Sequence, residues 1–221
     1  MNNPMEQMSV VRSYNVSDFK TSTEERFNIE GHAAVFDQKV SIGDWFYEVI
    51  ERGAFDECDF SDVSMYVNHD INQIPLARSR QYDNKSTMEL QVDSIGLYMR
   101  ANVDIDNNVA AKTLHSSISR GDMDGMSFMF RIKEQKWEDL DKDMPTRRIL
   151  KISKVYEVSA VNYPAYDQTD ISARDKNALD SAKKALSEAR SEKKYTNKEI
   201  DCFIFYDCCF FLRFPFIPCT K

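Results

Sequence analysis

The chain has 221 residues, of which 42% are hydrophobic and 29% charged, a composition typical of globular rather than disordered or fibrous proteins. Its net charge of −7 argues against nucleic-acid binding, because such proteins normally present a basic face. No run of about 18 uncharged apolar residues predicts a membrane span, and residues 1–13 lack the apolar core of a signal peptide, so a cytoplasmic protein without membrane contact is expected.

The first half of the chain shows the alternating or β-branched runs that are typical of strands. These runs cover residues 10–16, 27–36, 45–50 and 64–69. A hairpin is predicted from residues 87–92 and 96–103, with its turn near Asp93 and Ser94.

One helix is predicted among the strands. Asn107 and Asn108 supply a cap, residues 109–118 have helical spacing, and Gly121 ends the helix. Beyond it, residues 127–133 and 148–152 are predicted to pair across an acidic loop, and residues 156–161 form the last strand. About eight short strands with few helices indicate a β-rich α+β fold, with a barrel or sandwich core and helices outside it.

Composition divides the chain into four predicted regions. Residues 1–8 are a polar leader, 9–174 a folded domain, 175–200 an amphipathic helical segment, and 201–221 a tail rich in cysteine and aromatic residues. The helical segment is too short to be stable alone and needs a partner. The tail holds Cys202, Cys208, Cys209 and Cys219 in a spacing that matches no common zinc site, and one hypothesis is that it is foreign sequence from a frameshift or truncation.

Three histidines are candidates for a general base. His32 lies in a strand-like run and His115 on the predicted helix, where a structural role is the simpler interpretation. His69 instead follows the apolar residues 65–67 and precedes a polar loop, a position where catalytic groups are often placed.

Two residues are candidate nucleophiles. Cys58 has three carboxylates beside it in sequence, which are expected to raise its pKa and suppress the reactive thiolate. Ser127 follows Gly125 and opens an apolar run, where a turn becomes a strand, although serine is also a common turn residue.

A serine nucleophile needs a base, and the base needs a group that orients it. His69 is the candidate base. Glu157, a carboxylate within the apolar run 156–161, is the first candidate for the orienting group, with exposure to water as the alternative for this side chain. Asp70 and His115 are weaker candidates for the same role.

Five short motifs, in this order, resemble those of the phage prohead protease family. They are residues 31–36 (GHAAVF), 48–55 (EVIERGAF), 68–70 (NHD), 125–130 (GMSFMF) and 157–166 (EVSAVNYPAY). The resemblance closes with Thr169 and Arg174 and covers roughly residues 10–174. Each motif is short, but five in one order are specific.

The resemblance implies a serine endopeptidase that cleaves the precursor of the major capsid protein and its scaffold region, inside the procapsid in the host cytoplasm, with self-cleavage. It implies a fold similar to the herpesvirus assemblin proteases, a closed or partly open β-barrel surrounded by helices, followed by a C-terminal helix and an irregular tail. Carried over by motif, Ser127 is the nucleophile, His69 the base and Glu157 the third member, a place where relatives use histidine. No metal or organic cofactor is expected, and self-association through the C-terminal helix is a further expectation.

The sequence departs from the family pattern at three places. Met129 stands where the family has a glycine, residues 133–147 form a longer acidic loop, and the C-terminal region is short. Two alternatives therefore stay open at this point. One is a catalytically silent scaffold or capsid-assembly module with the same fold, and the other is a small-molecule hydrolase, against which stands the lack of a Gly-x-Ser-x-Gly elbow.

Overall fold

A computed structural model describes residues 9–14, 18–24, 26–82, 85–162 and 175–188. The chain divides into two compact units, Met1–Asp175 and Lys176–Lys221. In the described part of the first unit lie eleven strands and one helix of twelve residues: β1 Ser9–Tyr14, β2 Lys20–Thr21, β3 Ile29–Val35, β4 Val40–Ile42, β5 Phe46–Ile50, β6 Ser64–Val67, β7 Ala77–Arg78, β8 Met88–Val92, β9 Gly96–Ala101, α1 Val109–Arg120, β10 Gly125–Glu138 and β11 Thr146–Val161.

Strand β11 organises the larger sheet. It pairs antiparallel with β10 along one edge, and on the other edge it pairs in parallel first with β5 and then with β6. Strands β1, β4 and β7 complete a mixed sheet of seven strands. Because β6 runs parallel to the last part of β11, the residue that follows β6 lies beside the end of β11.

The second sheet has four antiparallel strands in the order β2-β3-β9-β8. Apolar side chains from both sheets meet in one core cluster, in which Phe128 stacks on Phe130 with ring centroids 4.4 Å apart. The predicted β-rich fold with few helices is confirmed. The resemblance implied a closed or partly open barrel, but the described strands form two separate sheets and no closed barrel.

Helix α1 and the hairpin agree with the sequence prediction. Asn108 caps the helix by accepting hydrogen bonds from the backbone N–H groups of Ala110 and Ala111, and Gly121 follows it with a left-handed φ of 76°. The helix buries Ala111, Leu114 and Ile118 in the core cluster. The hairpin forms from β8 and β9.

Two predictions in the second half of the chain were wrong. Residues 148–152 and 156–161 belong to one strand of 16 residues, β11, and the predicted acidic loop 133–147 shrinks to residues 139–145, because β10 extends to Glu138 and β11 begins at Thr146. The sequence pattern does not predict the short strands β2, β4 and β7, which have two or three residues each. Residues 175–188 are helical, as predicted for the start of the C-terminal segment, whereas 1–8 and 189–221 lie outside the described residues.

Candidate active site

A tight turn follows β6 and carries His69. Asn68 and His69 both have positive φ, 50° and 58°, and the N–H of Asp70 donates to the carbonyl of Val67 at 3.1 Å. Two consecutive left-handed residues inside such a hydrogen bond define a type I′ turn. Each left-handed residue costs about 1–2 kcal/mol, less for Asn, and strained backbone of this kind is common at functional sites.

Two hydrogen bonds fix the turn to β11 and to the residue that follows it. The N–H of Asn68 donates to the carbonyl of Ala160 at 2.9 Å, and the N–H of Asn162 donates to Oδ1 of Asn68 at 3.2 Å. The first bond extends the β6–β11 ladder by one step past the end of β6, and the second ties the Asn68 side chain to the main chain after β11. Together the two bonds fix the position of the His69 backbone beside the C-terminal end of β11.

The imidazole of His69 contacts the carboxylate of Glu157. Nδ1 lies 2.6 Å from Oε1, and the two side chains are 10% and 3% exposed. Since a carboxylate can only accept, this contact selects the tautomer with the proton on Nδ1. Nε2 is then left with its lone pair and has no hydrogen-bond partner among the described residues.

Ser159 completes this group of contacts. Its hydroxyl donates to Oε2 of Glu157 at 2.6 Å and accepts from the backbone N–H of His69 at 3.3 Å. Ser159 is fully buried. It lies inside the fifth sequence motif, yet no feature of the sequence distinguished it from an ordinary inward-facing strand residue.

Ser127 lies on the neighbouring strand, directly opposite Ser159 in the β10–β11 register. Residues opposite one another in an antiparallel pair point to the same face, so Ser127 shares a face with Ser159. Its hydroxyl is fully buried and donates to the carbonyl of Arg12 at 2.9 Å. Among the described contacts no hydrogen bond joins Ser127 to His69.

A buried ion network surrounds the side chain of Arg12, the residue whose carbonyl accepts the Ser127 hydroxyl. The guanidinium of Arg12 binds both oxygens of Glu48, at 2.5 and 3.1 Å, and Oδ1 of Asp175 at 2.9 Å. Arg147 contacts the same two carboxylates at 3.4 and 3.0 Å. Burial lowers the pKa of Arg12, but Glu48 and Asp175 outweigh that effect and raise the pKa above its ordinary value.

This network was missed from sequence. Arg12 and Glu48 are charged residues within strand-like runs, and such placement is the signal that points to buried pairing. The network fixes the position of Arg12, whose carbonyl accepts the hydrogen bond from the Ser127 hydroxyl. Two cations and two anions together leave the buried group without net charge.

The side chains of the other candidates, Asp70, His32 and His115, make no described contact with His69, Glu157 or Ser159. The carboxylate of Asp70 accepts from Asn72 at 3.2 Å. His32 lies between Asp18 and Asp93, at 2.5 and 3.1 Å, and packs on Tyr98. His115 is half-buried on α1. Met129 lies opposite Glu157 in the β10–β11 register.

Cys58 is half-buried, and burial raises its pKa to about 12, with the Asp59 charge as a lesser cause. The predicted direction is confirmed, but the main cause is burial and not the neighbouring carboxylates. Two of those carboxylates are engaged elsewhere, Glu57 with Lys133 and Asp59 with Lys154.

The described residues include neither a candidate membrane span nor a candidate metal site. No helix among them is long and apolar enough to cross a membrane. No group of three or more His, Cys, Asp or Glu side chains in the described part is arranged to hold a metal ion.

Comparison with known proteins gives one family and one structural neighbour. A model of the family described as caudovirus prohead serine protease matches residues 13–184. No curated protein matches the chain. The solved structure of the bacteriophage T4 capsid assembly protease gp21 is similar at 14% identity and a TM-score of 0.38, over 70% of this chain and 97% of that one. A likeness at this level is too slight to carry an argument.

Proposed function

This chain belongs to the caudovirus prohead serine protease family, whose model matches residues 13–184, and on that premise we propose that Ser127, His69 and Glu157 are its nucleophile, general base and orienting carboxylate. A serine protease of phage capsid maturation is therefore the activity to be explained. Family membership favours this activity over the silent assembly module and the small-molecule hydrolase. The observation that carries the residue assignment is the 2.6 Å contact between His69 Nδ1 and Glu157 Oε1.

The proposed reaction begins with a change in the Ser127 side chain. Its hydroxyl leaves the Arg12 carbonyl and donates to Nε2 of His69, a rotation about one side-chain bond on the face it shares with Ser159. Catalytic hydrogen bonds are often absent or long before substrate binds, so the resting contact is compatible with this step. The buried resting position also keeps the hydroxyl from water.

Chemistry then follows the acyl-enzyme route. Nε2 takes the Ser127 proton as Oγ attacks the scissile carbonyl, and Glu157 stabilises the imidazolium that forms. The imidazolium gives the proton to the leaving amine when the peptide bond breaks. A water molecule, deprotonated by the same nitrogen, releases the acyl group and restores the serine. These steps use the three side chains and one water molecule.

The proposed substrate is the precursor of the major capsid protein with its scaffold region, cleaved inside the procapsid, together with self-cleavage of the protease. Confinement in a shell raises the effective concentration of enzyme and substrate, so a slow enzyme suffices there. We assign the activity to a domain of residues 9–174, preceded by the leader 1–8. Residues 175–200 are proposed to self-associate, and no role is assigned to residues 201–221. We also propose that the two sheets, which share one core cluster, form a partly open barrel.

The assignment is tested by co-expressing the full chain with its capsid precursor. Ser127→Ala is expected to abolish cleavage of the precursor, because alanine leaves no nucleophile on this face. Ser153→Ala is the matched control: this serine lies on β11 and its hydroxyl donates to the Arg131 carbonyl at 3.3 Å. Processing that continues unchanged in the Ser127 variant would show that the nucleophile is another residue.

A further inference from the structure

Ser159 has a place in the site that none of the assigned roles covers. We infer that Ser159 is a positioning residue, which orients the His69–Glu157 pair for catalysis. The inference rests on the proposed roles of those two residues. Its basis is that one hydroxyl makes two contacts, donating to Oε2 of Glu157 at 2.6 Å and accepting from the His69 backbone N–H at 3.3 Å.

The first contact sets the plane of the Glu157 carboxylate. The terminal torsion of a glutamate is soft, so one hydrogen bond to Oε1 does not fix how the carboxylate is turned. Ser159 holds Oε2, and with both oxygens held, Oε1 points at Nδ1 of His69. Glu157 is 2% exposed, so removal of this donor leaves Oε2 without a partner in a place that water hardly reaches.

The second contact acts on the backbone of the base. His69 has a left-handed φ of 58°, a conformation that costs free energy and needs surrounding contacts to persist. Its N–H points at the Ser159 hydroxyl. A single side chain therefore links the backbone of His69 to the carboxylate that binds its ring, which fixes the position of Nε2.

Ser159 is not placed to be the nucleophile itself. A nucleophilic hydroxyl must donate to the free nitrogen of the base, which is Nε2, because Nδ1 faces Glu157. The Ser159 proton is instead directed to Glu157, and its lone pair faces the main chain of His69. The hydroxyl of Ser127, on the neighbouring strand, is not hydrogen-bonded to either His69 or Glu157 among the described contacts.

The test compares Ser159→Ala with Ser159→Thr in the full-length protein, using purified capsid precursor as substrate. Loss of the hydroxyl is expected to lower kcat about 10- to 100-fold, the size of effect that follows a misplaced catalytic group, and to leave KM nearly unchanged. Threonine keeps the hydroxyl and is expected to recover most of kcat. Ser153→Ala is again the control. In proton NMR, the downfield signal of the His69 Nδ1 proton should broaden or move in Ser159→Ala and persist in Ser159→Thr.

A double variant separates this inference from the proposed function. If Ser159 acts through Glu157, adding Ser159→Ala to Glu157→Gln should lower kcat little further. A Glu157→Gln variant with wild-type kcat overturns the proposed triad. A Glu157→Gln variant with low kcat, beside a Ser159→Ala variant with normal kcat and an unchanged Nδ1 signal, overturns the role of Ser159 alone. If Ser159→Ala does not fold, Ser159→Thr decides the question. A folded Ser159→Thr protein with a kcat as low as that of Glu157→Gln would contradict the role of the hydroxyl.

Discussion

Nδ1 of His69 lies 2.6 Å from Oε1 of Glu157, although 88 positions separate the two residues in the chain. The contact depends on the parallel pairing of β6 with β11, in which Ser64 lies opposite Glu157 and Val67 opposite Ala160. The turn at the end of β6 then carries the histidine back over the strand. The proposed catalytic pair depends on this register, since a shift of one residue would turn Glu157 to the other face.

The first prediction concerns the Glu157 carboxylate. Glu157→Gln is expected to lower kcat by up to about 10⁴-fold, as in other triads in which the carboxylate becomes an amide, because the amide N–H₂ favours the wrong imidazole tautomer. Turnover of purified capsid precursor measures this. Glu134→Gln, an exposed glutamate on β10, is the matched control and should keep normal turnover. Equal kcat in both variants would contradict the role of Glu157.

Much of the fold could be predicted from sequence, because its signals are local. The cap at Asn108, the stop at Gly121 and the hairpin turn near Asp93 each follow from the chemistry of one or two residues. The length of β11 could not, because its half-buried residues such as Lys151 and Lys154 break the apolar pattern that marks a strand. Their side chains make ion pairs with partners distant in sequence, which no local pattern reveals.

The candidate site likewise has a part that the sequence predicts and a part that it does not. Its motif residues, His69, Ser127 and Glu157, were chosen from short motifs and a family resemblance, and their catalytic roles stay a prediction. The contacts of Ser159 and the Arg12 carbonyl could not be predicted, because they depend on register between strands. A strand order and a register are properties of the whole sheet, and the sequence of one strand does not determine them.

A second prediction concerns Asp175 in the buried ion network. Asp175→Ala should lower the free energy of unfolding by about 3–5 kcal/mol, because Arg12 and Arg147 then share a single carboxylate in a buried site. Glu57→Ala, which removes an exposed carboxylate paired with Lys133, should cost far less. Urea unfolding of the two variants measures the difference, and equal midpoints would show that the network contributes little to stability.

A third prediction uses two glycines with different constraints. A Cβ at Gly96 would lie 1.9 Å from the carbonyl oxygen of Ala34, so Gly96→Ala should prevent folding or cost several kcal/mol. A Cβ at Gly121 would meet no other atom within 4 Å, so the left-handed φ of 76° is the one unfavourable factor there. Gly121→Ala should therefore cost about 1–2 kcal/mol. Thermal unfolding ranks the two variants. A Gly96→Ala protein as stable as Gly121→Ala would contradict the close approach of β3 and β9.

A fourth prediction concerns the reactivity of Cys58. Because burial raises its pKa to about 12 from an ordinary value of 9.0, little thiolate is present at neutral pH. Alkylation by iodoacetamide at pH 8 should be at least about 100-fold slower in the native protein than in denaturant, and should accelerate as pH rises. Peptide mapping by mass spectrometry separates Cys58 from the four cysteines of the tail. Rapid native alkylation at pH 8 would contradict the raised pKa of this half-buried thiol.

The last prediction tests the strained turn through Asn68. Asn68→Gly keeps the left-handed φ at low cost but loses the bond from the Asn162 N–H, so a loss of about 0.5–1.5 kcal/mol in unfolding free energy is expected, with kcat largely kept. Asn68→Val introduces a β-branched side chain that disfavours positive φ. This variant should lose more stability and should also lose kcat, because His69 follows directly in the turn. Unfolding curves and turnover of capsid precursor are measured on both variants. Loss of kcat in the glycine variant equal to that in the valine variant would show that the Asn68 side chain, and not the backbone conformation, places the base.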